Sequence, residues 1–197
     1  MLKIVTYPHP ALRFDAVPVA QIDDAMRSTV REMFDLMYAA NGIGLAANQV
    51  ALPFRFFVLN LSADREQKDK EQVFINPEIV KRHSSIEEEE GCLSLPGLYA
   101  KVHRARKIKV QAYDLEGNPT EIHADDLFAR AVQHETDHLS GRLFIDLLGP
   151  TPPTAVDQKI REFETSYRQL QASGEIPDDE TLRKRLEEIA RRGRVGE

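Results

Sequence analysis

The strongest chemical signal in this sequence is an HExxH motif that extends from His134 to His138. Four residues of an α-helix turn through about 400°, so the imidazoles of His134 and His138 share one face. Two imidazoles one turn apart can hold a metal ion, and Glu135 lies beside the first of them. Glu135 can take a proton from a water molecule activated there and pass it to a leaving group. Two histidines alone are more often exposed or hydrogen-bonded, but the complete motif favours a metal site.

The helix that carries this motif supplies no third ligand, because no further histidine or glutamate follows His138 at a suitable spacing. Glu121 and Asp125 are candidates, but the setting of Cys92 favours the cysteine. A glycine precedes Cys92 and a Pro-Gly pair follows it, which predicts a shaped, exposed segment rather than a core strand. The alternative is a small buried hydrophobic residue, the usual fate of a free thiol.

The segment 42–49 superficially matches the GxGxxA fingerprint of dinucleotide-binding proteins. This interpretation fails because the segment follows a predicted helix rather than a strand. Two glycines that flank Ile43 are more typical of backbone that passes close to a ligand, with Gln49 as a side-chain donor. A simple helix stop and turn is the other interpretation.

An acidic run precedes the cysteine. We expect Glu87, Glu88 and Glu89 to form a solvated face, because charged side chains are rarely buried unless they are paired. For Glu90 we predict instead an ion pair with Arg104, which would brace the loop around Cys92.

These segments must be positioned by helices and strands. Apolar residues at helical spacing predict one helix from Asp24 to Ala40, capped near Asp23. A second helix is predicted to begin after Asp125, which would be its N-cap, and to end near Gly141. Strands are predicted at the N terminus and at Phe54 to Asn60, Val73 to Ile75, Val80 to His83, Ile108 to Tyr113 and Thr120 to His123. The result is an α+β fold, with antiparallel strands packed around a central HExxH helix.

A break rich in proline and glycine at residues 149–153 predicts two parts, a catalytic domain over 1–148 and a helical C-terminal extension over 149–197. Apolar spacing predicts a long amphipathic helix from about Val156 to Leu170 and a shorter one, capped near Asp178, that carries Leu182 and Ile189. The extension either packs on its own domain or pairs with itself, or it is a docking arm. Its last stretch is locally basic.

The bulk properties exclude several classes of protein. The chain has 197 residues and a net charge of −6, so no global basic field attracts DNA or anionic lipid. A single cysteine fits a reducing compartment. The N terminus has no apolar signal region, and the strongest apolar run, 56–59, is too short to span a bilayer. We therefore expect a soluble cytoplasmic protein with no DNA or membrane partner.

Together the three segments resemble the three motifs of the peptide deformylases, in the same order and at similar spacing. The motifs stand here as GIGLAANQ at 42–49, EGCLS at 90–94 and QHETDH at 133–138. The resemblance covers about residues 1 to 147. It implies a hydrolase that removes the N-terminal formyl group from nascent peptides beginning with formyl-methionine and releases formate.

The resemblance also implies a role for each matching residue. Cys92, His134 and His138 would hold one divalent metal, commonly Fe²⁺, with Zn²⁺, Ni²⁺ or Co²⁺ as substitutes. Gln49 and the backbone N–H of Leu93 would stabilise the tetrahedral oxyanion. Glu135 would protonate the leaving amine. The substrate-binding residues would be Ile43, Gly44, Leu45, Gly97, Leu127 and Ala131.

Two positions depart from the family pattern. Glu88 stands about where some relatives place an apolar pocket residue, and Tyr99 stands where many bacterial members have arginine. We therefore expect the pocket lining and the contacts with the substrate backbone to differ from those of such relatives.

Two alternatives to a deformylase are another HExxH metallopeptidase and a non-catalytic relative that binds formyl peptides or the ribosome. Cys92 argues against the peptidase, because zinc proteases do not use a thiolate in that setting. The presence of both histidines, Glu135 and Gln49 argues against a binding module. In some relatives a C-terminal helix docks on the ribosome, and the basic end of this chain would allow a transient contact of that kind.

Overall fold

The computed structural model describes residues 1–149 and 152–195. Within them, a five-stranded antiparallel sheet is combined with four α-helices, which confirms the predicted α+β class. The strands lie side by side in chain order: β1 (Gly44–Ala46), β2 (Phe56–Leu59), β3 (Gln72–Cys92), β4 (Leu95–Tyr113) and β5 (Pro119–Asp125). The helices are α1 (Asp24–Ala39), α2 (Asp126–His138), α3 (Thr154–Ala172) and α4 (Asp179–Arg192).

Strands β3 and β4 form one long hairpin, and its turn lies at the predicted metal site. Cys92 pairs with Leu95, so Leu93 and Ser94 form the turn between the two strands. Cys92 was expected in a shaped, exposed segment rather than a core strand. It is instead the last residue of β3, beside the turn, and its side chain is half-buried. The half-buried thiol therefore lies at the tip of the β3–β4 hairpin.

The sequence divided β3 into two short strands because its alternation is interrupted. The register with β4 shifts between Ile75 and Glu78 and again between Ile79 and Lys81. Each shift changes which face the following side chains occupy, so the pattern of period two is lost. The predicted N-terminal strand was wrong as well, since residues 1–9 form no strand.

Helix α1 forms as predicted and packs its apolar face on the sheet. Its first turn is capped by Asp23, whose side chain accepts a hydrogen bond from the backbone N–H of Met26 at 2.9 Å. Met26, Met33 and Met37 are fully buried, in one cluster with residues of β1 and β2.

Helix α2 carries the HExxH motif and is held against both β2 and β4. Ala129 and Val132 are fully buried, in a cluster that includes residues of β2 and β4. The side-chain amide of Gln133 accepts a hydrogen bond from the backbone N–H of Ala105 and donates one to its carbonyl oxygen, at 3.0 and 2.8 Å. This pair of bonds fixes the position of α2 along β4. Asp125 occupies the N-cap position, but its side chain makes no capping hydrogen bond.

The two predicted helices of the extension are present as α3 and α4. Val156 of α3 is buried in a cluster with Leu95 and Leu98, while Val195, beyond α4, is buried in the cluster that contains Met26. Pro150 and Thr151, part of the predicted break, lie outside the described residues. Among the described helices, none has the length and apolar character needed to cross a membrane.

Candidate metal centre and active site

The structure brings together the three predicted metal ligands. The ligand atoms of Cys92, His134 and His138 all lie within 4.8 Å of one another, and Cys92 Sγ is 3.4 Å from His138 Nε2. Two ligands of a tetrahedral ion with bonds of 2.0–2.3 Å are roughly 3.5 Å apart. The site therefore fits one ion held by a thiolate and two imidazoles. Of the other candidates, Glu121 pairs with Lys109 at 2.7 Å, and neither it nor Asp125 belongs to this group.

The ring of His134 is oriented by Glu90. His134 Nδ1 lies 3.1 Å from Glu90 Oε2, which leaves Nε2 for an ion. Arg104 forms the predicted ion pair with the same carboxylate, with Nε and Nη2 each 3.1 Å from a Glu90 oxygen. Burial alone would raise the pKa of Glu90, but hydrogen bonds from His134 and Arg104 outweigh it and lower the pKa to about 2. Arg104 also contacts Asp137, so one guanidinium joins β3, β4 and α2.

The pKa values of the two histidines are shifted in opposite directions. Burial and the neighbouring His134 lower the pKa of His138 well below its usual value, which leaves a lone pair on a neutral ring. Burial also disfavours the cation of His134, but hydrogen bonds to Cys92 and Glu90 raise its pKa well above the usual value. His138 is 1% exposed, and its Nδ1 has no hydrogen-bond partner among the described residues.

Glu135 is a buried carboxyl group at the edge of the candidate site. Its side chain is almost fully enclosed, and Oε2 has no hydrogen-bond partner among the described residues. Burial raises its pKa to about 7, a value suited to a group that both accepts and donates a proton near neutrality. A Cβ atom at position 44 would stand 2.5 Å from Glu135 Oε1, so a side chain there would displace the carboxyl group.

Gln49 is held beside the thiol by bonds at both ends of its amide. Its Oε1 accepts a hydrogen bond from the backbone N–H of Ala46 at 2.9 Å. Its Nε2 lies 3.4 Å from Cys92 Sγ and 3.2 Å from Ser94 Oγ. The donor is thus fixed next to the candidate ligands, at the turn that contains Leu93.

A cavity of about 580 Å³ opens onto these groups. Of the predicted substrate-binding residues, Ile43, Gly44, Gly97, Leu127 and Ala131 line it. Leu45 does not: it is fully buried in the core next to α1. The cavity wall combines apolar side chains with the polar groups of Glu135 and His134, as is usual for a small-molecule or peptide-end site.

The two departures from the family pattern have different positions. Glu88 is exposed on β3 and does not line the cavity, as expected for a solvated charge run. Tyr99 does line it and is 61% exposed. Its ring lies against Gly91, where a Cβ atom would come within 2.5 Å of the ring.

Three residues that were given no role on sequence grounds contact the site, namely Arg130, Asp137 and Ser94. Arg130 lines the cavity and lies 3.7 Å from the Glu90 carboxylate, while its Nη2 donates to the carbonyl oxygen of Glu89. A helical signal was available, because Arg130 precedes His134 by four residues and therefore shares its face. Ser94 carried no such signal, since its role depends on the hairpin turn.

Comparison with known proteins gives one consistent result. A sequence model of the family described as polypeptide deformylase matches residues 1–152. A protein of Rhodopirellula baltica named peptide deformylase is 41% identical over 181 residues, which covers 92% of this chain and 90% of that protein.

Solved structures agree with these sequences. A crystal structure of a peptide deformylase from Legionella pneumophila shares 40% identity, with a TM-score of 0.76, over 87% of this chain and 98% of its own. A peptide deformylase structure from Plasmodium falciparum shares 38% identity, with a TM-score of 0.82, over 85% of this chain and 98% of its own.

Proposed function

This chain belongs to the polypeptide deformylase family, and we propose on that basis that it hydrolyses the N-terminal formyl amide of formyl-methionyl peptides. The products are formate and a peptide with a free N terminus. The observation that carries the proposal is the convergence of Cys92, His134 and His138 at a cavity that Glu135 also lines, with one buried Glu135 oxygen that has no hydrogen-bond partner among the described residues.

The chain's own residues supply binding, orientation and proton transfer. The apolar wall formed by Ile43, Leu127 and Ala131 suits the methionine side chain. Gln49 Nε2 and the backbone N–H of Leu93 are the proposed donors to the oxygen on which negative charge develops. Removing one such donor costs about 100-fold to 1000-fold in rate in comparable enzymes. Glu135 removes a proton from the attacking water and delivers it to the leaving nitrogen.

The proposed metal is Fe²⁺, with Zn²⁺, Ni²⁺ or Co²⁺ as functional substitutes. A divalent ion at this site supplies a Lewis acid and makes water nucleophilic at neutral pH. A thiolate with two imidazoles suits any of these ions. Metal analysis of protein purified without oxygen identifies the native ion, and a predominance of another metal would contradict the assignment of iron.

The other two functions have less support. An HExxH peptidase does not account for Cys92 in the ligand group, and family membership favours the deformylase. A non-catalytic formyl-peptide-binding relative does not need the buried carboxyl group of Glu135 next to three convergent ligand atoms.

The test is turnover of formyl-Met-Ala-Ser by the Fe²⁺-loaded chain, prepared anaerobically and followed by formate release. We expect Cys92→Ala to lose the metal, and Glu135→Gln to keep the metal but lose turnover. Glu121→Gln is the matched control, since Glu121 was a candidate ligand on sequence grounds and lies outside the ligand group. The proposal fails if metal-loaded wild-type protein releases no formate.

The finer partner and location are also proposals. The substrate class implies action on nascent chains in the cytoplasm, and the basic side chains of α4, including Arg183 and Arg185, would allow transient ribosome contact. Arg183 and Arg185 are exposed. Their reversal to glutamate should reduce co-sedimentation with ribosomes at low salt. Equal co-sedimentation of both proteins would exclude this contact.

A further inference from the structure

Three hydrogen bonds, linked through the residues Tyr7 and Ser94, connect the C-terminal extension to the candidate active site. Glu164 Oε1 on α3 accepts a hydrogen bond from the Tyr7 hydroxyl at 2.9 Å. The backbone N–H of Tyr7 donates to the carbonyl oxygen of Ser94 at 2.9 Å. Ser94 Oγ in turn lies 3.2 Å from Gln49 Nε2. The path therefore leads from α3, through the N-terminal segment, to the proposed oxyanion donor.

The N-terminal segment holds Gln49 at a second point. The backbone N–H of Val5 donates to the carbonyl oxygen of Gln49 at 2.8 Å. Residues 5–7 thus bind both the backbone of Gln49 and the hairpin turn that faces its side chain. We therefore expect a displacement of this segment to move Gln49 relative to the hairpin turn formed by Leu93 and Ser94.

Apolar packing supports the same connection. Val156 of α3 is 6% exposed and belongs to one cluster with Leu95 and Leu98, which follow the hairpin turn. Tyr7 and Cys92 pack against this cluster too. Helix α3 therefore packs against the tip of the β3–β4 hairpin.

The direction of the Tyr7–Glu164 bond is fixed by its chemistry. An ionised carboxylate can only accept, so the Tyr7 hydroxyl donates. Burial and the adjacent Glu164 carboxylate also raise the pKa of this hydroxyl. A carboxylate that accepts such a bond is held more firmly than a neutral acceptor.

We propose that Glu164 and Tyr7 are positioning residues for Gln49 and the hairpin turn, so that the extension contributes to the reaction rate as well as to stability. The inference rests on the proposed deformylase function. It assigns to the extension a role in catalysis that is separate from docking on a partner.

The test uses the full chain and compares Tyr7→Phe, Glu164→Ala and the double variant with wild type. The matched control is Glu162→Ala, because Glu162 lies on the same helix and, within the described residues, pairs with Gln158 and Lys159 of α3 alone. Glu164→Gln retains an oxygen acceptor and serves as the conservative variant. The measurements are kcat and KM for formyl-Met-Ala-Ser, thermal stability, and the thiolate-to-metal absorption band of the Co²⁺-loaded protein.

We expect kcat to fall roughly fivefold in Tyr7→Phe and in Glu164→Ala, with KM changed less than twofold, because a small misplacement of the donor affects the transition state. The double variant should lose no more than either single variant, since both remove the same bond. The Co²⁺ band should shift in both, because Gln49 Nε2 contacts Cys92 Sγ. Glu164→Gln should retain most of the wild-type rate, and Glu162→Ala should match wild type.

Unchanged kcat in Tyr7→Phe and Glu164→Ala, with an unshifted Co²⁺ band, would overturn the inference even if their melting temperatures fell. That result is distinct from failure of the proposed function, in which the metal-loaded wild type itself would release no formate.

Discussion

At the scale of single residues, Glu135 depends on the absence of a side chain at position 44. A Cβ atom there would overlap the carboxylate, at 2.5 Å from Oε1. We expect Gly44→Ala to lower kcat by on the order of 100-fold, because a displacement of about 1 Å suffices for such a loss. Gly149→Ala is the control, since a Cβ atom at Gly149 meets nothing within 4 Å. Wild-type kcat in Gly44→Ala would show that Glu135 tolerates displacement.

Arg104 illustrates the cost of a buried charge that loses its partner. Its side chain is 5% exposed and contacts two carboxylates, Glu90 and Asp137. We expect Arg104→Met to reduce the free energy of unfolding by about 3–5 kcal/mol, because Asp137 loses its guanidinium partner and the buried Glu90 loses its two 3.1 Å hydrogen bonds. Arg106→Met removes an exposed arginine two residues away, which pairs with Asp126, and should leave the denaturation midpoint unchanged.

Charge reversal at Arg104 tests the brace itself. Arg104→Glu should release metal as well as destabilise the fold, because His134 loses the fixed carboxylate that orients its ring. Retention of wild-type metal content and turnover by this variant would refute a bracing role for the pair.

The residues that the sequence located best are those whose chemistry is local to a short segment. His134 and His138 follow from the HExxH motif and helical periodicity, whereas the pairing of Glu90 with Arg104, across two strands, was predicted as a brace for the Cys92 segment. Leu45 stays a predicted substrate-binding residue, but its side chain is buried in the core, and β1 is too short for its sequence to show which way its side chains point. Ser94 acts through a turn whose position depends on pairing between distant residues.

At the scale of elements, His9 connects the N-terminal segment to the extension. Its Nδ1 accepts a hydrogen bond from the backbone N–H of Ala11 at 3.1 Å, and its ring contacts Tyr167 of α3 edge-on, with centroids 6.3 Å apart. Burial lowers the pKa of His9, and this effect exceeds the opposing attraction of Asp179.

The pH dependence of stability follows from this shift. Because the folded state disfavours protonated His9, the unfolded state binds more protons below a pH of about 6.5, and stability falls as the pH decreases through that value. We expect wild type to lose more of its melting temperature between pH 7.5 and 5.5 than His9→Asn, which keeps a capping oxygen. Loading with Zn²⁺ removes titration of His134 and His138 from the comparison.

The matched control for this measurement is His123→Asn, since His123 is exposed on β5. It should show the wild-type pH dependence. Parallel curves for wild type and His9→Asn would contradict the assignment of the slope to His9.

The elements differ in how well their sequences define them. Helices α1 to α4 were predicted because each carries side chains at helical spacing, which are apolar in α1, α3 and α4 and include the two histidines in α2. Strand β3 was divided because its register shifts break the alternation, and most side chains between 81 and 89 are exposed on either face. The length of β3 is set by its pairing with β4. This pairing joins residues that are far apart in the sequence, so no local pattern within β3 predicts it.

At the scale of the whole molecule, the extension contributes to the same hydrophobic clusters as the rest of the chain. The division into 1–148 and 149–197 remains a prediction, and it can be tested through α4. We expect Leu186→Ala, at a side chain 3% exposed, to lower the free energy of unfolding by about 2–5 kcal/mol in one transition that includes the sheet. Leu170→Ala, at a side chain 40% exposed, is the control. A separate early transition for the helices would show that the extension folds on its own.

The position of Val195 has a consequence for biosynthesis. This side chain is 2% exposed and completes the cluster around Met26, which is translated some 170 residues earlier. Translation adds about 5–20 residues per second, so on the order of ten seconds or more pass between the synthesis of α1 and the synthesis of Val195. The core around Met26 therefore reaches its final packing only after residue 195 has been synthesised, long after helix α1 and strands β1 and β2.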